Sequence, residues 1–239
     1  LNIPYLTTDQ MREVDRAMIE DYGVLLIQMM ENAGRNLAIL ARTRFFDGDL
    51  RDKSVLVLAG TGGNGGGGLV CARRMNNWGA NVAVWLSAPA ERLADVPRHQ
   101  FNILQKMEVP VQVADESVRL PSADLIVDAI IGYSLRGNPR GASAALIRAA
   151  NSHNAPVLAL DAPSGVDTST GIAHDPVIQA TATMTLALPK EGLRADSVRD
   201  FVGELYLADI GVPSGLYSRT PLNLEAGNVF ARKEVVRLW

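Results

Sequence analysis

Four oxygen-bearing side chains and one glycine run carry the chemistry open to this sequence. Asp128 lies inside the apolar run Leu125 to Ile131, Asp161 follows the run Val157 to Leu160, and Ser164 comes just beyond it. Asn64 sits within Gly60 to Gly68, where seven of nine residues are glycine. A carboxylate inside a buried strand is costly unless it is hydrogen-bonded, paired or beside a cation. Two chemistries suit such a set. One is acid–base work by Asp128; the other is oxygen-only coordination of a hard cation by Asn64, Asp128, Asp161 and Ser164. Zinc is disfavoured, because His99, His153 and His174 are scattered without ligand spacing and Cys71, the only thiol, sits in an apolar helical stretch.

The glycine run leads from the apolar segment Val55 to Ala59 directly into the helical segment Leu69 to Met75. Strand, glycine loop and helix together can offer backbone N–H groups and a helix amino end to an anion, with glycine allowing positive φ. No Lys and Ser or Thr follow the last glycine, since Leu69 and Val70 stand there, so a nucleoside triphosphatase loop is disfavoured. A dinucleotide dehydrogenase is also a weak fit: the second strand ends at Leu86 with no acid before Glu91.

The elements that must hold these groups follow from periodicity. Thr7 and Gln10 have the form of a capping box, and Met11, Val14 and Met18 continue at helical spacing. A second helix from about Leu25 carries Leu26, Met30, Ala33, Leu37 and Leu40 on one stripe. Short apolar runs then alternate with helical stretches: Val55 to Ala59, Val82 to Leu86, Val109 to Val113, Leu125 to Ile131, Val157 to Leu160 and Met184 to Leu188. That alternation predicts an α/β fold, a doubly wound and mostly parallel sheet with helices on both faces, preceded by two helices. Ligands of such sheets bind outside the carboxyl ends of the strands, where the three polar loops converge. Glu191 to Phe201 reads as loop, Glu204 to Leu207 as a last strand, and the tail to Trp239 as helix-like.

Composition narrows the class. A chain of 239 residues, 47% of them apolar, is read as one domain spanning 1–239. With 23 basic against 26 acidic residues and no basic stripe, nucleic acid is not an expected partner. No apolar run reaches the roughly 18 to 20 residues of a membrane span, so no membrane is expected and the chain reads as cytoplasmic. The lone cysteine excludes an internal disulfide and fits a reducing compartment.

Met30-Glu31-Asn32-Ala33-Gly34, Gly62 to Gly68 followed by Val70-Cys71-Ala72-Arg73, Asp128-Ala129-Ile130-Ile131-Gly132, and Asp161-Ala162-Pro163-Ser164-Gly165-Val166-Asp167 with Gly171 together resemble the YjeF N-terminal domain family. The resemblance implies a Rossmann-like fold and an NAD(P)H-hydrate epimerase, which interconverts the R and S forms at C6 of the hydrated nicotinamide ring. It also implies a potassium ion held by Asn64, Asp128 and Ser164. The substrate, hydrated NADH or NADPH, would be touched by Gly63, Asn64, Gly65, Gly66 and Gly67, by Gly132, Tyr133, Ser134, Leu135, Arg136, Gly137 and Asn138, and by Asp161. Asp128 is the expected catalytic residue. Where the family pattern reads Gly-Asn-Asn-Gly-Gly-Asp-Gly, Gly63 stands for the first Asn and Gly67 for the Asp. The tail from about Val229 resembles the junction to a dehydratase domain in bifunctional members, so a covalently linked dehydratase is an expected partner, and self-association is a further expectation. The alternative is a nucleotide-ligand-binding or scaffold domain of the same fold, which the altered glycine run favours and the intact Asp128 and Asp161 motifs oppose.

Overall fold

The computed structural model describes residues 3–239. Thr7 caps helix α1 (Thr8–Glu20) through the expected reciprocal bonds: the Gln10 amide donates to Thr7 Oγ1 at 3.1 Å and the Thr7 amide donates to Gln10 Oε1 at 2.9 Å. Helix α2 (Leu26–Phe45) follows, and then the alternating part begins. Strands β1 (Ser54–Ala59), β2 (Asn81–Leu86), β3 (Val111–Val113), β4 (Leu125–Ala129), β5 (Val157–Leu160), β6 (Ala182–Leu186), β7 (Glu204–Ala208) and β8 (Val235–Arg237) form one sheet in the order 3-2-1-4-5-6-7-8. Every neighbouring pair is parallel except β7 with β8. The chain starts the sheet at β1 and winds outward on either side of it. That places the topological switch between β1 and β4.

Helices α2, α3 (Gly63–Asn77) and α4 (Asp95–Lys106) bury their apolar sides with Val55, Val57, Leu125 and Val127 on one sheet face. Helix α5 (Gly141–Asn151) covers Leu56, Leu58, Ile126 and Ala159 on the other. Helix α1 packs with α7 (Ser214–Tyr217) against Leu188, Leu207 and Ile210. The doubly wound reading therefore holds.

Several boundaries move for identifiable reasons. The third strand starts at Val111 and not Val109, because Pro110 has no N–H to give the ladder and the Val109 amide closes α4 on Leu104 O. The fourth stops at Ala129 and not Ile131: the Ile130 and Ile131 amides turn away to Asp128 Oδ1 and Ser164 Oγ. The sixth covers Ala182 to Leu186, ended by Ala187 at φ 63°. Glu191 to Phe201 is a series of short helical turns ending in α6 (Arg199–Val202) rather than open loop. The tail is not helical either. It pairs along β7, the Leu238 amide donates to Leu205 O, and Trp239 Nε1 donates to Gly203 O at 2.9 Å with the Arg199 guanidinium over its ring.

The glycine run is also corrected. Gly63 to Gly68 form the first turns of α3, and none of the glycines from 60 to 68 has positive φ. What the run supplies is the absence of Cβ. A Cβ on Gly68 would lie 2.6 Å from Ala129 Cβ, so α3 can rest directly on the ends of the strands. Gly34 on α2 plays the complementary part: a Cβ there would strike Val70 and sit 2.5 Å from Gly67 O. Replacing Gly34 by Ala must push two helices apart and should cost about 2–4 kcal/mol in urea unfolding, at the high end for overpacking because one obstacle is backbone. Gly63 faces open space, so Gly63→Ala should be neutral or stabilising by up to about 1 kcal/mol through helix propensity. Equal midpoints for the two variants would contradict this packing account.

Candidate active site

Asp128 is fully buried in β4 between β1 and β5, in register with Leu58 and Ala159. Its carboxylate accepts from the Ser164 amide at 2.7 Å, the Ser164 hydroxyl at 2.6 Å and the Ile130 amide at 3.2 Å. Among the described residues no basic side chain is bonded to it. Burial therefore pushes its carboxyl up to about 6 against the pull of those donors. Ser164 Oγ in turn accepts from the Ile131 amide at 2.8 Å, so the loops after β4 and β5 are tied together at this carboxylate.

The next residue pair is ionic. Asp161 leaves β5 at φ 68°, and its Oδ1 takes a 2.5 Å bond from the fully buried Lys190 ammonium. Lys190 also donates to Leu186 O at 3.0 Å and Thr185 Oγ1 at 3.3 Å. Asp161 Oδ2 accepts from the Tyr133 amide at 3.1 Å, and the Tyr133 hydroxyl donates to Asp15 Oδ2 on α1 at 2.6 Å. Desolvation raises the Asp15 carboxyl above its ordinary value, against the Tyr133 hydrogen bond and the Lys190 charge, and raises the Tyr133 phenol as well.

These groups open onto a cavity of about 290 Å³ at the carboxyl edge of β5 and β6. Its polar lining is Asp15, Asn64, Tyr133, Ser134, Asp161 and Lys190, and its apolar lining is chiefly Met11, Leu26, Met29, Met30, Leu160 and Ile210. A wider groove of about 670 Å³ runs along α5 past Arg119, Arg148 and His153, but it shares no residue with the carboxylate network.

Of the residues expected to meet substrate, Gly63, Asn64, Gly67, Gly132, Tyr133, Ser134 and Asp161 line the cavity. Gly65 and Gly66 are buried inside the helix packing, and Leu135, Arg136, Gly137 and Asn138 run out along the surface away from its lining. Asp128 and Ser164 lie behind the wall. Asn64 lines the cavity, its side-chain Oδ1 near Gly132 and its Nδ2 buried without a hydrogen-bond partner among the described residues. A Cβ on Gly67 would come within 2.8 Å of Leu160 Cδ2, so that side chain fills the space into which a residue at 67 would grow. The three histidines fit no ligand set: His153 bonds the backbone of Pro121 and Ala155, His174 bonds Asn138, and His99 is exposed. Among the described residues no group of three or more His, Cys, Asp or Glu is placed to hold a metal. Cys71 is buried, and burial pushes its thiol up, as suits a core residue. No helix among the described residues is long and apolar enough to cross a membrane.

Asp15 and Lys190 escaped the sequence reading. Asp15 had a signal: it is an acid four residues after Met11, beside the buried stripe of an amphipathic helix. Lys190 had a weaker one, a lone lysine after Leu188-Pro189.

Fold and site together define a doubly wound α/β protein with a ligand cavity at the carboxyl edge of its parallel strands. Residues 26–192 match the family described as YjeF-related protein N-terminus, and the chain belongs to that family. It is 44% identical over 218 residues to an NAD(P)H-hydrate epimerase of Dehalogenimonas lykanthroporepellens, covering 91% of this chain and 86% of the relative. It is 38% identical to the bifunctional NAD(P)H-hydrate repair enzyme Nnr of Moorella thermoacetica, covering 91% of this chain but 42% of that longer protein. The crystal structure of yeast ynu0, YNL200c, superposes with a TM-score of 0.83 at 24% identity, covering 99% of this chain and 100% of the yeast chain, which supports the fold.

The Asp128 carboxyl makes stability depend on pH in a direction opposite to an ordinary salt-bridged acid. Its folded value of about 6 lies above the ordinary 3.8, so the folded state binds the extra proton between these values. With a bulky organic ion as the only cation, stability should fall as pH rises from about 4 to 6, by about 1–3 kcal/mol relative to Asp128→Asn. Chemical denaturation of both proteins across that range measures the difference. A difference rising with pH would mean that a positive charge holds Asp128 ionised.

Proposed function

We propose that the protein epimerises hydrated NAD(P)H at C6 of the nicotinamide ring, a repair step that hands the correct stereoisomer to a dehydratase. The observation that carries this reading is the 44% identity, spanning nearly all of this chain, to a relative named NAD(P)H-hydrate epimerase. The cavity supports it: about 290 Å³ accommodates a hydrated nicotinamide ring and leaves the rest of the dinucleotide to the rim. The dehydratase would be a separate chain or a linked domain, as in the relatives named bifunctional.

A potassium ion belongs to this proposal, held by Asn64, Asp128 and Ser164. The residues fit one. Asp128 is buried with no basic partner among the described residues, the Asn64 Oδ1 lies beside Gly132, and each of the three side chains offers an oxygen. An ion bound there supplies fixed positive charge that keeps Asp128 ionised. The chain's own part is to orient and to exclude water. The Asp128 carboxylate fixes Ser164 and the Ile130–Ile131 turn, which sets Gly132 and Tyr133 at the cavity mouth. Asp128, the expected catalytic residue, and the Ser164 hydroxyl bonded to it are both fully buried and outside the cavity lining, so any proton work by Asp128 would need a further relay. The methionine and leucine side chains of the lining would keep bulk solvent from the ring.

The R epimer of hydrated NADH, supplied with an excess of a dehydratase that consumes only the S epimer, tests the activity. The protein should accelerate recovery of NADH well above the spontaneous rate. Potassium should raise the melting temperature by about 2–6 °C over tetramethylammonium at equal ionic strength, as a ligand of the folded state alone does, and Asp128→Asn should erase that difference. Recovery at the spontaneous rate across pH would overturn the epimerase reading, and equal melting temperatures in the two salts would remove the ion.

A further inference from the structure

We propose that Asp15, held by the Tyr133 hydroxyl, is the acid–base group that meets the C6 hydroxyl of the substrate. This rests on the epimerase reading and adds to it a catalytic residue on helix α1. Access singles out Asp15. Three carboxylates lie in or behind the cavity wall, and two are already spent. Asp128 has no exposed surface and gives both oxygens to Ser164 and Ile130. Asp161 gives Oδ1 to Lys190 and Oδ2 to the Tyr133 amide. Asp15 is half-buried, lines the cavity, and uses Oδ2 for Tyr133, while Oδ1 has no protein partner among the described residues.

Its surroundings suit a group that exchanges a proton. Around it stand Tyr133 from the loop after β4, Asp161 after β5, Lys190 after β6, and Tyr217 of α7, whose hydroxyl is buried and unpaired. On its own helix Arg12 turns outward to Asp9 at 2.7 Å. Burial holds the Asp15 carboxyl above the usual carboxylate value, which brings it closer to working pH and makes it a better base. The helix is anchored for the purpose: Thr8 Oγ1 bonds Ser169 Oγ in the loop after β5, and Tyr133 ties Asp15 to the loop after β4.

The step balances without any co-reactant. The hydrated carbon C6 bears a hydroxyl and bonds to ring nitrogen N1. The Asp15 carboxylate takes the hydroxyl proton, the C6–N1 bond breaks as C6=O forms, and the proton passes to N1. Rotation about C5–C6 turns the other aldehyde face to N1. The reverse sequence then closes the ring with inverted configuration, and no electrons leave.

Steady-state epimerisation of R-hydrated NADH by the wild type, Asp15→Asn and Tyr133→Phe tests this, with the spontaneous rate subtracted at each pH. Asp15→Asn should lower kcat by about 10²–10³-fold with KM changed less than about threefold, and should abolish the rise of kcat with pH expected of the wild type. Tyr133→Phe keeps the ring and removes the bond that favours ionised Asp15. It should therefore shift that rise to higher pH, a change that loss of packing alone would not produce. An active Asp15→Asn with an unchanged pH profile overturns this proposal and leaves the epimerase reading standing. An inactive wild type overturns both. If Asp15→Asn does not fold, an unshifted profile for Tyr133→Phe overturns the proposal by itself.

Discussion

A carboxylate sealed in a sheet with no basic neighbour has to be met by donors, and the way Asp128 is met shapes the whole carboxyl edge. Its bond to the Ile130 amide bends β4 out of the ladder, and its bonds to Ser164 pull in the loop after β5. The Ile131 amide then finds Ser164 Oγ, which brings Gly132 against the side chains of Asn64 and Asp161. Without that buried charge, the strand run Leu125 to Ile131 has no reason to stop where it does. The helix opposite depends on the same closeness, because α3 starts on the strand ends only where its residues carry no Cβ.

The second charged group has a different logic. Burying Lys190 and Asp161 together is poor evidence of stabilisation, since desolvation offsets most of the attraction. What the pair does is geometric. It holds Asp161 at φ 68°, aims Oδ2 at the Tyr133 amide, and so fixes the residue whose hydroxyl reaches α1. The amino-terminal helices thereby border the cavity: α1 and α2 supply Met11, Leu26, Met29 and Met30 of its apolar lining as well as Asp15.

How much of this was legible depended on range. The capping box, the alternation of helices and strands, and the convergence of Asn64, Asp161 and Gly132 at one edge were readable, because local spacing and strand polarity determine them. The state of the glycine run was not. A run of glycine looks like a loop, and only contact with Met30, Ala129 and Leu160 shows why a helix tolerates it. The tail failed for a similar reason: Val235 to Arg237 is too short to declare a strand until β7 offers an edge. Lys190 and Asp15 were invisible as a network since they lie 175 positions apart, joined through Asp161 and Tyr133.

The nicotinamide ring of the substrate is proposed to be handled between α1 and the carboxyl edge of β5 and β6. A crystal structure of the protein with hydrated NADH tests it most directly. The hydrated ring is expected in the cavity bounded by Gly63, Tyr133 and Asp161, with its C6 hydroxyl within hydrogen-bonding distance of Asp15 and the adenosine end outside. A ring lodged instead in the groove along α5, against Arg119 and Arg148, would contradict it.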